Sequence, residues 1–266
     1  MAAPHLRVLM LGDLIGSPGR ALVQRLLRPL QRQYAVDLTI ANGENSAAGR
    51  GITIATAEDM VAAGVDAITT GNHVWRQRDI VNGLQGRLPL VRPLNYPAGA
   101  PGQGWRTLAV GDARITVVNV LGRTFLEPLD NPFTALDRLL AEPPGDLGAV
   151  IVDFHAEATS EKRALGWYLD GRVAAVVGTH THVPTADAQV LPKGTAYVTD
   201  VGMCGPRHSV IGMAIEPSVA RFVTQRPTGY EVAQGGPLEL NAVLIEVDRR
   251  TGRGVSIRRV DRVEEE

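Results

Sequence analysis

Residues 149–184 read AVIVDFHAEATSEKRALGWYLDGRVAAVVGTHTHVP. Two apolar runs, "AVIVDF" and "VAAVV", flank a segment of helical period, and each run ends in histidine: His155 after the first, His180 and His182 after the second. Only 6 histidines occur in the chain, so three at strand ends within one short stretch need an explanation. The strand–helix–strand alternation predicts an α/β fold. In such folds the carboxyl ends of strands converge on one edge, where ligands bind.

Working outward, the same texture recurs. "LRVLML" (6–11), "DLTIAN" (37–42) and "VDAITTG" (65–71) read as buried strands. Between them, 17–34 reads as a helix with Ser17 as its cap, Pro18 at its first position and Pro29 as a kink or early stop. A second helix is expected from a Thr56 cap to Gly64. Residues 89–104 are rich in turn formers, and "YPAGAPGQGW" (96–105) reads as cover for a site or as a subunit contact. Hairpins are expected across Gly111-Asp112 and around Thr251-Gly252. The tail "RVEEE" (262–266) reads as a solvated end. The expectation is a single domain over residues 1–266, a sandwich of mixed β-sheets flanked by α-helices.

Composition narrows the function. A net charge of -1 and a pI near 6.6 leave no overall footprint for nucleic acid or an anionic membrane. A local patch built from Arg50, Arg76 and Arg78 would still suit RNA. No apolar run is long enough to span a bilayer. The apolar N-terminal run is short, Asp13 interrupts it, and no cleavage site of a secretory signal follows. The single cysteine, Cys204, excludes an internal disulfide framework, and the cytoplasm is the expected compartment. In "GMCGP" that cysteine reads as a packed thiol. His5 reads as a surface residue ahead of the first strand.

The polar residues at the predicted strand ends carry the argument. The first strand ends at Asp13, the second at Glu44 and Asn45, the third at Asn72 and His73, and later strands at His155 and at His180 and His182. Singly, each has a plainer reading. Asp13 could cap a helix, Glu44, Asn45 and Asn72 could support turns, and His155 could be a satisfied core histidine. "NGENSAAGRG" (42–51) lacks the Gly-Lys-Ser/Thr ending of a phosphate loop. "HTH" favours ligation more strongly, because residues two apart in an extended segment share a face and imidazole binds metal well near neutral pH. Thr181 would then point away.

Together, "GDLIG", "NGEN", "TGNH", "DFHAE", "GTHTHV" and "TDVGM" resemble, in order, the calcineurin-like metallophosphoesterase superfamily and its YmdB-type phosphodiesterase branch. The chain departs from the superfamily's common pattern at Ile15, where a histidine is usual, and at Glu44, where the bridging residue is usually aspartate. It departs from the branch at Arg207-His208, where Tyr-Asp is usual. The resemblance implies two metal ions, one held by Asp13, Glu44, Asn45 and His182, the other by Glu44, Asn72, His155 and His180. Glu44 would bridge, and Asn45 would replace the imidazole missing at Ile15. Iron is the expected metal, with manganese or zinc as alternatives that suit oxygen and nitrogen donors. The implied reaction is attack on a phosphoester by hydroxide generated between the ions, with His73 protonating the leaving group. Small phosphoesters such as cyclic nucleotides, including phosphodiesters and phosphomonoesters, are the implied substrates. A low-turnover regulatory or RNA-binding protein that keeps its metal is the competing reading.

Overall fold

Strands that are apolar on both faces demand cover on both sides, and the chain supplies it in four layers. The computed structural model describes residues 3–265. In chain order the elements are β1 (His5–Leu14), α1 (Gly16–Tyr34), β2 (Leu38–Asn42), α2 (Ile54–Ala63), β3 (Ala67–Thr69), α3 (Ile80–Gln85) and β4 (Leu90–Val91). There follow β5 (Trp105–Val110), β6 (Ala113–Leu121), α4 (Pro132–Ala141), β7 (Ala149–His155), α5 (Thr159–Tyr168), β8 (Ala175–Thr179), β9 (Gln189–Val190) and β10 (Ala196–Val198). The remainder is β11 (Met203–Pro206), α6 (Ile215–Thr224), β12 (Leu238–Leu240), β13 (Ala242–Asp248), β14 (Gly254–Arg259) and β15 (Arg262–Glu264).

One sheet runs β15-β12-β11-β1-β2-β3-β4, with β13 pairing β1 and β14; the other runs β5-β6-β7-β8-β10-β9. In the first, β1, β2 and β3 are parallel neighbours; in the second, β6, β7 and β8 are. Alternation along each strand divides the core. Leu9 and Leu11 pack under Leu22, Val23, Leu27 and Leu30 of α1 and Met60 of α2. Val8, Met10 and Ile40 face the other way, onto Ile115, Val117, Ile151 and Val177 of the second sheet. Val150 and Val152 meet Leu136 of α4 and Leu165 of α5 on the far side. The order is helix, sheet, sheet, helix.

Both expected hairpins form, as β5–β6 and β13–β14. Several local expectations are corrected. The first helix starts at Gly16 behind Ile15 with no side-chain cap, so Ser17 is not the cap. Tertiary contacts replace it: the Gly16 N–H donates to the Asn45 carbonyl and the Ile15 N–H to the Cys204 carbonyl, each at 2.9 Å. Pro29 does not end the helix, which runs to Tyr34 with Leu27 and Leu30 buried on either side of it. In α2 the cap is Thr53, three residues before Thr56, and the two threonines form a reciprocal capping box. The tail is solvated as expected, with Val263 and Glu265 exposed, but it is also tied down: β15 pairs with β12, and Arg25 forms an ion pair with Glu264. Glu266 lies outside the described residues. Cys204 is buried, and burial pushes its thiol up, as expected of a packed group. His5 is the first residue of β1 rather than ahead of it.

Candidate metal centre

The parallel strands of both sheets aim their carboxyl ends at one place. From the first sheet come Asp13 in β1, Glu44 and Asn45 just past β2, and Asn72 and His73 just past β3. From the second come His155 at the end of β7 and His180 and His182 just past β8. Residues separated by up to 169 positions thereby meet.

Glu44 lies at the middle. Its Oε1 is 3.1 Å from His155 Nε2 and 3.2 Å from His73 Nδ1, and it accepts a 3.2 Å bond from Asn45 Nδ2. Its Oε2 accepts the His73 N–H at 3.1 Å. His155 Nε2 and His180 Nδ1 are 3.0 Å apart, and Asn45 Nδ2 is 3.1 Å from His182 Nε2. Asp13 Oδ2 accepts the His180 N–H at 3.1 Å. Glu44, His155 and His180 present ligand atoms within 4.8 Å of one another. Gly71 must lack a side chain, because a Cβ there would stand 2.3 Å from both Glu44 Oε2 and His155 Cδ2.

Electrostatics mark the cluster as a cation site. Burial raises Asp13 to about 6 despite His182 and His155 nearby. Burial alone would raise Glu44 too, but the charge and hydrogen bond of His155, with help from His73, hold it well below the usual carboxylate range. His155 is the counterpart: burial disfavours its cation, yet Glu44 and Asp13 raise it to about 9. Burial, reinforced by His155, lowers His180 to about 3. Two buried oxygens of the cluster lack a hydrogen-bond partner: Asp13 Oδ1, with His155 Nδ1 3.8 Å away, and Asn72 Oδ1. Orphaned buried acceptors are costly, and a divalent cation satisfies them. The donor set, oxygen and imidazole without thiolate, fits such an ion.

The surrounding residues fix the imidazoles. His182 Nδ1 lies 2.8 Å from the Ile211 carbonyl, leaving Nε2 toward the cluster. His180 turns the other way, with Nε2 3.1 Å from Glu157 and Nδ1 inward. His155 Nδ1 meets Thr179 Oγ1 at 2.9 Å. Bonds of this kind set which ring nitrogen is free to ligate. The backbone here is not the extended segment expected from "HTH". His180 and His182 have φ of 99° and 65°, in a region that non-glycine residues rarely occupy. Both still reach the cluster; the Thr181 hydroxyl donates to Asp200 Oδ2 at 2.8 Å, although Thr181 also lines the cavity over the cluster.

A buried ion pair holds that strained turn. Lys162 Nζ of α5 donates to Asp200 Oδ2 at 2.6 Å and to the Thr179 carbonyl at 2.7 Å; Asp200 Oδ2 also accepts the Thr181 N–H at 3.1 Å. Beneath the cluster, Asp153 of the second sheet accepts from Asn42 and Thr69 of the first, clasping the two. Lys162→Met would leave Asp200 buried without its cation. The expected result is about 3–5 kcal/mol less stability, read as a lower denaturation midpoint. A loss under about 1 kcal/mol, the range of exposed pairs, would show that the pair does not hold the turn.

A cavity of about 320 Å³ opens over the cluster, bounded by Glu44, Asn45, Asn72, His73, His180 and His182 and, beyond them, by Arg50, Glu157, Ile211, Met213 and Tyr230. Residues 96–105 do not line it, and neither do Arg76 and Arg78. Sequence reasoning did not single out Glu157, Lys162 or Asp200. Glu157 and Asp200 stood inside the quoted motifs "DFHAE" and "TDVGM", which were the available signal. Ile211, Met213 and Tyr230 had none.

The layered sandwich, with this cluster where the carboxyl edges of its two sheets meet, is that of a calcineurin-like phosphoesterase. The family described as YmdB-like protein matches residues 9–260, and the chain belongs to it. It is 47% identical over 255 residues to a 2',3'-cyclic-nucleotide 2'-phosphodiesterase of Bacillus subtilis, covering 96% of each chain. Among solved structures it superposes on a hypothetical protein of Thermus thermophilus with a TM-score of 0.91 and 48% identity, covering 97% of this chain and 100% of that one. A phosphatase of Mycoplasma pneumoniae superposes with a TM-score of 0.92 and 39% identity, covering 98% and 95%. The fold implies divalent metal ions, and the cluster above suits them. Among the described residues, no helix is long and apolar enough to cross a membrane.

Proposed function

We propose that this chain is one domain that hydrolyses phosphodiesters, foremost nucleoside 2',3'-cyclic phosphates, and phosphomonoesters, in the cytoplasm, with two divalent ions, iron by preference. Asp13, Glu44, Asn45 and His182 would hold one ion and Glu44, Asn72, His155 and His180 the other. The observation that carries this reading is the pair of buried oxygens without a hydrogen-bond partner, Asp13 Oδ1 and Asn72 Oδ1, in the same cluster as Glu44, His155 and His180. When bound, two such ions lower the pKa of water toward neutrality and offset charge on the phosphoryl oxygens.

The chain's own groups do the rest. His73 has Nδ1 engaged by Asn45 Oδ1 at 2.9 Å, so Nε2 is the nitrogen left for the cavity and for a proton to the departing oxygen. Asn45 orients His73 through Oδ1 and turns Nδ2 toward Glu44 and His182, so an amide flip would be needed for its oxygen to meet an ion. Arg50 stands exposed at the cavity wall with no carboxylate partner among the described residues, placed to meet an anionic substrate. Its presence also serves the RNA-binding alternative, but a histidine poised as a proton donor favours turnover.

The test is removal and return of metal. Chelator-treated protein is expected to lose hydrolysis of adenosine 2',3'-cyclic phosphate, and iron or manganese to restore it. Undiminished turnover by protein shown metal-free by elemental analysis would refute the reading.

A further inference from the structure

A second cavity, of about 280 Å³, adjoins the first and shares three lining residues with it: Ile211, Met213 and Tyr230. The two differ in chemistry. The first is walled by the acids, amides and imidazoles of the cluster. The second is bounded by Val210, Ile211, Met213, Phe222 and Tyr230, with Ser218, Arg221 and Thr228 as hydrogen-bonding groups among them. An apolar, aromatic recess with a few polar groups is what an organic ring system requires.

The link between the cavities is short. His182, in the cluster, faces the Ile211 carbonyl at 2.8 Å, and the Ile211 side chain belongs to both cavity walls. At the junction the Arg50 guanidinium lies over the Tyr230 ring, 4.6 Å from its centroid. That contact fixes the ring and leaves the guanidinium edge free for oxygen acceptors. Tyr230 is half exposed, at 50%, and Phe222 is 79% exposed although apolar; α6, which carries Phe222, buries none of its residues. Aromatic surface left open beside a polar site suited to phosphate is the arrangement by which proteins stack nucleobases.

We propose that the second cavity receives the base of a nucleotide whose phosphate lies against the metal cluster, with Tyr230 as the stacking surface and Arg50 between base and phosphate. This deepens the reading given under Proposed function and rests on it. Arg221 supplies donors to the base edge; the Ser218 and Thr228 hydroxyls, which donate to the Ala214 and Pro217 carbonyls, are left to accept from it, and Phe222 covers its outer face. The subsite makes the enzyme select nucleotides over sugar phosphates of the same ester chemistry.

The experiment compares adenosine 2',3'-cyclic phosphate with its base-free analogue, 1-O-methylribose 2',3'-cyclic phosphate, on metal-loaded protein. Wild type is expected to show a KM about tenfold or more lower for the adenosine compound, in keeping with the usual strength of base stacking. In Tyr230→Ala and, separately, Phe222→Ser, the ratio of the two KM values collapses toward one. Both side chains are exposed enough for the fold to survive their loss. Equal KM values in wild type would overturn the subsite while leaving the phosphoesterase reading intact. If neither compound is hydrolysed, the phosphoesterase reading fails instead, and calorimetric titration with adenosine 3'-phosphate against ribose 3-phosphate still decides the subsite: equal affinities overturn it. A Phe222→Ser variant that changes oligomeric mass but not the KM ratio would assign this face to contact between copies of the chain, and would overturn the proposal too.

Discussion

Glu44→Ala is expected to empty both metal positions at once, leaving roughly a tenth or less of the wild-type metal after desalting, since even supporting residues around a metal site cost about 10–100-fold in affinity. The reason is placement. Both carboxylate oxygens of Glu44 face the cluster, one toward His155, Asn45 and the His73 ring, the other toward the His73 backbone. Among the described residues, Glu44 is the one carboxylate in the group with His155 and His180. Asp13 has Oδ2 engaged by the His180 N–H, while Oδ1 has no hydrogen bond and stands 3.8 Å from His155 Nδ1. Asp13→Ala should therefore lose one ion of two. Elemental analysis of the two variants beside wild type gives a simple sequence: none, one, two. A fully loaded Glu44→Ala, or an Asp13→Ala that loses both ions while Glu44→Ala keeps one, would overturn the bridging assignment. Circular dichroism guards against a trivial loss through unfolding, because Glu44 is fully buried.

The readability of this chain followed range. Strand periodicity is local, so β1, β2, β7 and β8 could be read from runs of Val, Ile and Leu, and their final residues gave the positions at which Asp13, Glu44, His155 and His180 would emerge. Parallel pairing then brings those ends to one edge without any further information from the side chains. The two threonines of α2 show the limit of local reading: Thr53 and Thr56 are equally good caps, and only the backbone path selects Thr53. The "HTH" segment shows a deeper limit. Its two histidines reach the cluster through left-handed backbone at both, not through strand alternation, and that geometry depends on Lys162 and Asp200, which approach from elsewhere in the chain. A buried lysine in "SEKRAL" looks like any helix-surface lysine until α5 is laid on the sheet. Phe222 sits on the apolar stripe of α6, with Ile215, Val219 and Val223 at helical spacing, but that stripe does not say what it faces; Tyr230 lies outside any regular element, so its position beside the cavity had no local signal.

His73→Ala is expected to keep its metal and lose about 10²–10⁴-fold in turnover on esters with alkoxide leaving groups, the usual share of a positioned proton donor. The effect should depend on the leaving group. A ribose oxygen departs as a strongly basic alkoxide and needs a proton; p-nitrophenolate departs readily without one. The variant should therefore remain within about tenfold of wild type on p-nitrophenyl esters. The geometry allows this separation because His73 is not among the atoms gathered at the centre of the cluster. Its ring touches Glu44 and Asn45 through Nδ1 only, and it keeps 18% of its side chain exposed at the cavity. Its backbone N–H, which supports Glu44 Oε2 at 3.1 Å, survives the substitution. His73→Asn is a useful companion, since an amide can retain a bond to Asn45 but cannot supply a proton at neutral pH. If both variants fall equally on alkoxide and aryl esters with metal content unchanged, His73 acts by orienting Asn45 or the phosphoryl group. The proton must then reach the departing oxygen from elsewhere.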